Sequence, residues 1–385
     1  MSSRCRVPKE KNRGMASGPY NSFDASSITG YCRVMRSLAI ASLALTLLTN
    51  TTAAQSLDLQ SLLESELAAF PATAGVQVKH LTTGVEAGVR ADQDFSTASV
   101  IKLAFMVRAY RMVDQKLLDL DERITLTRAH LRHGTGVFQY HDAGLRPTLR
   151  DAITEMIITS DNTATDLVLM KIGGPAAVTR WLGDSGYPRL ASYGRPHDYR
   201  RDLLAMIDPA LATLTAEETS ALMYASDRNP LFDRYAGLFT GSRAKWIEVV
   251  RDPANRQRLA RERDRRTSTD RKYWLGSMTP GDAARMLESI ERGTAASKVS
   301  CEAMLLALRR QQLGSRRLPH FIDVPVAHKT GDGGTIANDV GIIYARSGPI
   351  VVAFFANSVT GSYGEAEDRI GRLGAKLVEY FDGGR

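Results

Sequence analysis

The chain has 385 residues and a formal net charge of +8, with 43% hydrophobic and 24% charged residues. These proportions argue against a disordered or fibrous chain and fit a globular protein with a sizeable core. The positive charge does not indicate a nucleic-acid partner, because the most basic stretch, residues 251–272, has no interleaved aromatic side chains that could stack on bases.

Residues 35–54, which follow an N-terminal extension, have the pattern of a secretory signal. Met35 and Arg36 precede an apolar run from Leu38 to Leu48, and small residues follow as far as Ala54. The apolar run is too short to span a bilayer. We predict cleavage after Ala54, export to the periplasm or the outside, and no stable membrane insertion of the mature chain.

Cysteine and histidine content argues against a disulfide framework and against a metal site. Two of the three cysteines precede the predicted cleavage site, so Cys301 is alone in the mature chain. It lies in a predicted helix, where we expect a buried and unreactive thiol. The spacing of His130, His133 and His141 matches no zinc signature.

The first predicted elements are a helix over residues 57–69 and a hairpin. Residues 75–81 alternate apolar and polar positions, and residues 85–89 offer a returning strand after a turn. From Ser99 the pattern changes to one with few polar positions, which is typical of a buried helix. Further helices are predicted over 149–158 and 162–172.

Residues 199 to about 275 differ from their surroundings. Thr215 and Glu218 have the spacing of a capping box that begins a helix, and residues 251–272 predict an exposed helix and loop. Helices resume at Thr279 and continue to about Gln312. Strands are then predicted over 324–329, 340–344 and 350–356, and a closing amphipathic helix over 365–381.

Strands at both ends of the mature chain, with helices between them, predict an α/β plus all-α fold. The economical arrangement is one antiparallel sheet built from both chain ends, with helices packed on it and a helical domain inserted between. We expect an N-terminal extension and signal over 1–54 and an α/β domain from 55–95 plus 277–385. The helical domain would then be 96–276, including an insertion at about 199–275.

Ser99 and Lys102 stand three residues apart at the start of the predicted buried helix. This spacing places both side chains on one helix face, where the free N–H groups of the first turn favour a developing negative charge. A lysine in apolar surroundings has a lowered pKa and can take the serine proton. Taken alone, the pair also fits a helix cap beside an extended lysine.

Ser160, Asp161 and Asn162 lie between two predicted helices. A hydroxyl at such a position can relay a proton to a leaving nitrogen, and the asparagine amide offers both a donor and an acceptor to a substrate amide. The same triplet fits a turn that caps the following helix.

Lys329, Thr330 and Gly331 stand at the end of a predicted strand. Lysine and threonine suit a carboxylate ligand, and glycine lets a ligand lie against the strand edge. A lysine at the edge of a strand before a turn would explain the triplet equally well.

The three motifs are specific in combination, because they occur in this order on a helix, a loop and a strand. Together they resemble the class A β-lactamase and penicillin-recognising serine hydrolase family. The similarity covers about residues 57–195 and 277–381. The segments that carry it are 96–103, 147–164, 172–175, 278–280, 326–331 and 338–343.

This resemblance implies a site between an α/β lobe and an all-α lobe. Ser99 would attack the carbonyl of a β-lactam or of an acyl-D-alanyl peptide, with Lys102, Ser160 and Lys329 handling protons. The backbone N–H groups of Ser99 and Asp332 would form the oxyanion hole. The substrate-binding residues that the resemblance implies are Asn162, Thr330, Gly331 and Asp332. It implies no cofactor, and we expect a monomer that acts on a small molecule.

The sequence departs from the family where a glutamate should activate the deacylating water. By spacing this glutamate should fall near Pro196 to Asp198, where the chain has neither a glutamate nor the accompanying Leu-Asn. His197 and Asp198 are candidate replacements, since histidine is a suitable base near pH 7. Ordinary loop polarity would also explain them.

Three functions therefore stay open. The first is a β-lactamase that hydrolyses its acyl-enzyme. The second is a penicillin-binding D-alanyl-D-alanine peptidase, and the third is a β-lactam sensor that is acylated and then deacylates slowly.

Overall fold

Eight β-strands and twelve α-helices lie within residues 54–270 and 274–383, the part of the chain that this computed structural model describes. The strands are β1 (Thr73–His80), β2 (Glu86–Val89), β3 (Phe95–Ser96), β4 (Ala191–Ser192), β5 (Gly276–Met278), β6 (Val326–Gly333), β7 (Ile336–Ala345) and β8 (Gly348–Asn357). The predicted signal segment before Ala54 lies outside the described residues.

The helices follow the predicted order. They are α1 (54–68), α2 (Lys102–Asp114), α3 (Leu149–Ile158), α4 (Asn162–Lys171), α5 (Gly174–Asp184), α6 (Asp198–Ala205), α7 (Ala216–Ser226), α8 (Lys245–Arg251), α9 (Pro253–Thr269), α10 (Pro280–Glu291), α11 (Lys298–Leu308) and α12 (Tyr363–Asp382). No helix of the described residues is long and apolar enough to cross a bilayer.

A five-stranded antiparallel sheet joins the two ends of the described chain. Its strand order is β2-β1-β8-β7-β6, so that the N-terminal hairpin pairs with a C-terminal meander through β1 and β8. In this pairing Val78 lies opposite Val352. The predicted fold class, an antiparallel sheet from both chain ends with helices packed on it, is confirmed.

Alternation along the strands gives the sheet two apolar faces. Val352 and Phe354 of β8 pack in a cluster with residues of α1 and α12, such as Leu63 and Ile370. Their neighbour Ala353 faces the other side, where a larger cluster includes α2, α10, α11 and the helices of the middle segment. Cys301 of α11 is buried in this second cluster, as predicted.

Two features of the strands differ from the sequence prediction. Strand β6 continues to Gly333, so Lys329, Thr330 and Gly331 lie within the strand and not at its end. The extension forms because β6 pairs with β7 as far as Gly333 opposite Ile336, across a tight turn. A second sheet, in the order β3-β5-β4, was not predicted, because strands of two or three residues are too short to show a period.

The start of the buried helix also differs. Residues Ala98–Ile101 form a 3-10 turn, and the α-helix proper begins at Lys102. The prediction of a helix buried on nearly all sides is confirmed, because every residue from Lys102 to Tyr110 except Arg108 is buried. Ser99 therefore lies in a turn that is fixed by its apolar neighbours.

Four helices, α6 to α9, occupy the segment that was predicted to be an insertion. The capping box of α7 is confirmed, since Glu218 N donates to Thr215 Oγ1 at 3.2 Å and Thr215 N donates to Glu218 Oε2 at 2.9 Å. Helix α9 buries only Leu259 and Thr267, which agrees with the exposed basic helix that the sequence predicts.

Gly331 is the point where β6 approaches the turn that carries Ser99. A Cβ at this position would collide with the carbonyl oxygen of Thr97 and would lie 3.1 Å from Cγ2 of Val100. Gly331→Ala should therefore lower the free energy of unfolding by about 1–3 kcal/mol, as overpacking does, measured by urea denaturation.

Gly183→Ala provides the control for this measurement. Gly183 lies on the exposed surface of α5, where a methyl group would have no atom of another described element within 4 Å. Alanine in a helix should leave stability unchanged or raise it by up to about 1 kcal/mol. Equal effects of the two substitutions would contradict the close approach of β6 to the Ser99 turn.

Candidate functional site

Ser99 lies in a sharp turn between β3 and α2. Ala98 before it has a φ of 44°, a left-handed conformation that is strained for a residue with a side chain. The turn is closed by a hydrogen bond from Val100 N to the carbonyl oxygen of Thr97 at 3.1 Å. Ser99 is 8% exposed, so its surroundings are almost closed but solvent still reaches it.

Lys102 and Lys329 meet at Ser160. Lys102 Nζ donates to the Ser160 carbonyl oxygen at 2.6 Å, to Ser160 Oγ at 3.1 Å and to Asn162 Oδ1 at 3.3 Å. Lys329 Nζ also donates to Ser160 Oγ, at 3.1 Å. The predicted residues of α2, of the turn before α4 and of β6 are therefore brought together, although they lie far apart in sequence.

The turn at Ser160 is held by the loop that precedes α3. Ser160 has a φ of 55°, which is again left-handed. Thr135 Oγ1 donates to the Ser160 carbonyl oxygen at 2.7 Å, and Asn162 Nδ2 donates to the carbonyl oxygen of His133 at 3.2 Å. Asp161 caps α4 by accepting from Ala164 N at 2.8 Å. The structure thus contains both the helix cap that the triplet of residues 160–162 suggested and the contacts of this triplet with the two lysines.

On β6, the Lys329 ammonium group also donates to the carbonyl oxygen of Thr330 at 3.0 Å, and Gln311 Nε2 donates to the hydroxyl of Thr330 at 3.0 Å. The carboxylate of Asp332 is occupied, because the buried Arg317 and the hydroxyl of Tyr363 both donate to it. The carboxylate of Asp332 is therefore paired within the protein and adds no unpaired negative charge to the site.

Both lysines have lowered pKa values. Burial, reinforced by the charge of Lys329, holds the pKa of Lys102 well below its usual range. Burial also lowers the pKa of Lys329 to about 7, against the opposing charges of Asp332 and Asp339. Near neutral pH Lys329 can therefore release or take up a proton, which an exposed lysine cannot do.

His197 and Asp198 lie beside each other, with His197 Nε2 3.4 Å from Asp198 Oδ1. Burial lowers the pKa of His197 to about 4, so the imidazole is neutral at pH 7. Apart from Asp198, the charges that act most strongly on it are Asp166, Arg132 and Arg195. The charges that act most strongly on the pKa of Lys102 are those of Lys329, Asp161, Arg200 and Asp332, and none of them is among the charges named for His197. The structure places the pair outside the hydrogen-bonded group around Ser160.

Two residues of the predicted insertion lie at the site and were not singled out from the sequence. Trp274 Nε1 donates to the backbone carbonyl of Asp332 at 2.9 Å, and Arg200 is close enough to lower the pKa of Lys102 further. Because the chain contains many arginines, Arg200 did not stand out from the others, and Trp274 belongs to no recognised motif. No local signal distinguished them.

Histidines near the site are engaged by protein groups. His133 Nε2 lies 2.6 Å from Asp227 Oδ2 on the insertion, and His141 Nδ1 lies 3.0 Å from the carbonyl oxygen of Val137. Within residues 54–270 and 274–383 no group of three or more His, Cys, Asp or Glu side chains has an arrangement that could hold a metal ion.

A family model described as the beta-lactamase enzyme family matches residues 58–381. Beta-lactamase L2 of Stenotrophomonas maltophilia is 34% identical over 112 residues, and beta-lactamase 3 of Bacillus cereus is 31% identical over 118 residues. These matches cover 29% and 30% of this chain, and only 37% and 36% of the relatives' own lengths.

Solved structures with the same fold cover more of the chain. A beta-lactamase from Sphaerobacter thermophilus matches with a TM-score of 0.59 and 23% identity, covering 86% of this chain and 96% of its own. An ancestral class A beta-lactamase matches with a TM-score of 0.61 and 23% identity, covering 84% of this chain and 100% of its own. At this identity the likeness shows the fold alone.

The lowered pKa of Lys329 predicts a pH-dependent stability. In the unfolded chain a lysine has a pKa near 10.4, so above pH 7 the unfolded chain binds the additional proton and the folded state gains stability as the pH rises. Between pH 7 and pH 9 the free energy of unfolding of the wild type, minus that of Lys329→Met, should increase by on the order of 2 kcal/mol.

Urea denaturation at the two pH values measures this difference, with Lys298→Met as the control at an exposed position on α11. The control should show no change with pH relative to the wild type. A difference between wild type and Lys329→Met that stays constant from pH 7 to pH 9 would mean that Lys329 keeps an ordinary pKa.

Proposed function

Because the chain belongs to the beta-lactamase enzyme family, we propose that it hydrolyses β-lactam antibiotics through an acyl-enzyme on Ser99. The observation that carries the proposal is the meeting of Lys102 and Lys329 on one hydroxyl, Ser160 Oγ, at 3.1 Å from each ammonium nitrogen. Two buried lysines with lowered pKa values on one hydroxyl next to a strained serine turn suit proton transfer better than structural support.

In the proposed acylation step the Ser99 hydroxyl attacks the β-lactam carbonyl while Lys102, as the neutral amine, accepts its proton. The lowered pKa of Lys102 supports this role, since an ordinary ammonium group has no lone pair at neutral pH. The carbonyl oxygen gains negative charge and is stabilised by the backbone N–H groups of Ser99 and Asp332.

The carbon–nitrogen bond of the lactam then breaks, and the leaving nitrogen takes a proton from the hydroxyl of Ser160. That hydroxyl is re-protonated by the lysines that donate to it, Lys102 and Lys329. Lys329 and Thr330 hold the substrate carboxylate, and Asn162 orients the acyl amide. Gly331 supports these roles, because it lets β6 lie directly against the Ser99 turn.

Hydrolysis of the acyl-enzyme needs a base that activates water. We propose His197, which is neutral at pH 7 and has a buried Nδ1 without a hydrogen-bond partner among the described residues, with Asp198 as the alternative. Either group must act from outside the hydrogen-bonded group around Ser160. The charged groups around His197 differ from those around Lys102. This difference favours a second candidate function, in which the acyl-enzyme forms but persists, as in a penicillin-binding peptidase or a β-lactam sensor.

We propose the same division into two lobes that the sequence analysis predicts. Residues 55–95 and 277–385 would form the α/β lobe and residues 96–276 the helical lobe, with the insertion over about 199–275 contributing to the site. We also propose that the segment before Ala54 is a cleaved signal and that the enzyme acts in the periplasm or outside the cell.

The assignment of the nucleophile is tested by intact mass after mixing with a small excess of benzylpenicillin. Ser99→Ala should give no adduct. Lys102→Met should slow the formation of the adduct by about 10²–10⁴-fold, because a general base is lost. Ser61→Ala, at an exposed position on α1, should behave as the wild type. An adduct on the Ser99→Ala protein would show that another residue is the nucleophile.

Deacylation is tested by following the adduct of a chromogenic cephalosporin in time, together with the release of colour. The proposed β-lactamase should show a decaying adduct and many turnovers per protein, and His197→Ala should slow the decay without slowing acylation. Asp198→Asn applies the same test to the alternative base. A stable adduct with a single burst of colour from the wild type would establish the second candidate function instead.

A further inference from the structure

Arg200 is a buried arginine at the site with no carboxylate partner among the described residues. It is 7% exposed, and none of the ion pairs within 4.0 Å in residues 54–270 and 274–383 involves it. Its one hydrogen bond to the backbone of these residues runs from Nη1 to the carbonyl oxygen of Pro196 at 2.5 Å. Buried arginines are usually paired, because removing a charge from water costs several kcal/mol. A buried arginine without a carboxylate partner, close to the candidate site, therefore points to an anion that arrives with the ligand.

The guanidinium group is held in place by two aromatic rings of the insertion. Its carbon Cζ lies 4.8 Å from the ring centroid of Tyr199 and 5.9 Å from that of Trp274, distances at which a cation is attracted to a ring face. The centroids of those two rings lie 3.9 Å apart. Trp274 in turn donates to the carbonyl oxygen of Asp332 at 2.9 Å. Arg200 is therefore connected to β6 through Trp274.

Arg200 also reaches the other side of the site. A Cβ built on Gly134 would collide with both Nη2 of Arg200 and Nδ2 of Asn162, so these two nitrogens lie against Gly134 and within a few ångströms of each other. The guanidinium charge is among those that act most strongly on Lys102. Arg200 is thus placed beside Asn162, on the side of Ser99 that the proposed function gives to the acyl half of the substrate.

We propose that Arg200 binds a carboxylate on the acyl side chain of the β-lactam, while Lys329 and Thr330 bind the carboxylate of the ring. The planar guanidinium group matches a carboxylate through two parallel hydrogen bonds. The inference rests on the proposed function and deepens it, since it selects β-lactams with a second negative charge on the acyl side.

The experiment compares benzylpenicillin with carbenicillin, which differs by one carboxylate on the acyl side chain. The measured quantity is the second-order rate constant of acylation, followed by intact mass. The wild type should react with carbenicillin about 10–100-fold faster than with benzylpenicillin, as expected for a hydrogen bond between charged groups. Arg200→Gln should bring this ratio close to one, and Arg200→Lys should restore part of it.

Arg258→Gln is the matched control, because it removes the same charge from an exposed position on α9 of the insertion. It should leave the ratio of the two rate constants unchanged. The inference is overturned if the wild type reacts with carbenicillin no faster than with benzylpenicillin, or if Arg200→Gln slows both reactions equally. The wild-type ratio decides the question even if the Arg200 variants do not fold.

A separate measurement distinguishes this inference from the proposed function. In the Ser99→Ala protein, which cannot form the proposed acyl-enzyme, calorimetry should show tighter binding of carbenicillin than of benzylpenicillin. Equal binding of the two compounds to Ser99→Ala would overturn the role of Arg200 alone. The absence of any adduct between the wild type and either penicillin would overturn the proposed function, whatever the calorimetric result.

Discussion

The burial of two lysine ammonium groups around one serine is the constraint on which the site depends. Lys102 and Lys329 have no solvent exposure, and a buried cation is tolerated only when it is hydrogen-bonded or gives up its proton. The oxygens that accept from them are neutral: the carbonyl and hydroxyl oxygens of Ser160, the amide oxygen of Asn162 and the carbonyl oxygen of Thr330. Burial therefore lowers the pKa values of both lysines, and among the described residues no carboxylate is hydrogen-bonded to either ammonium group.

This arrangement needs the Ser160 turn to keep an unfavourable backbone conformation, and the surrounding loops supply the support. His133 and Thr135 contact the turn directly. The loop that carries them is held in turn by the insertion, since His133 pairs with Asp227, which follows α7, and Tyr224 of that helix donates to Gln139 at 3.1 Å. These contacts make residues 199–275, the segment that was predicted to be an insertion, part of the support of the site.

The cationic and anionic groups of the site indicate which kind of ligand it can bind. Lys102, Lys329 and Arg200 are cationic or can become so, whereas the carboxylate of Asp161 caps a helix and that of Asp332 is paired with Arg317. Positive charge at the site attracts anions, and both of these carboxylates are already engaged by other groups of the protein. This charge balance is consistent with the proposed acylation by anionic β-lactams, and it leaves neither of these two carboxylates free to serve as the proposed deacylation base.

The sequence alone predicted the fold class, which the structure confirms, and it nominated the residues whose side chains meet at Ser160. The order of the Ser99, Ser160 and Lys329 motifs, together with strands at both chain ends, sufficed for these predictions because each motif is local and because residues 75–81 alternate with period two. The contacts in the folded protein were needed to show how far β6 extends, that Lys102 and Lys329 share one hydroxyl, that His197 and Asp198 lie outside the hydrogen-bonded group around Ser160, and that Arg200 lies beside Asn162 and Trp274 contacts Asp332. These features depend on contacts between residues that are distant in the chain. Neither the spacing of the motifs nor the composition shows that Arg200 is buried without a carboxylate partner.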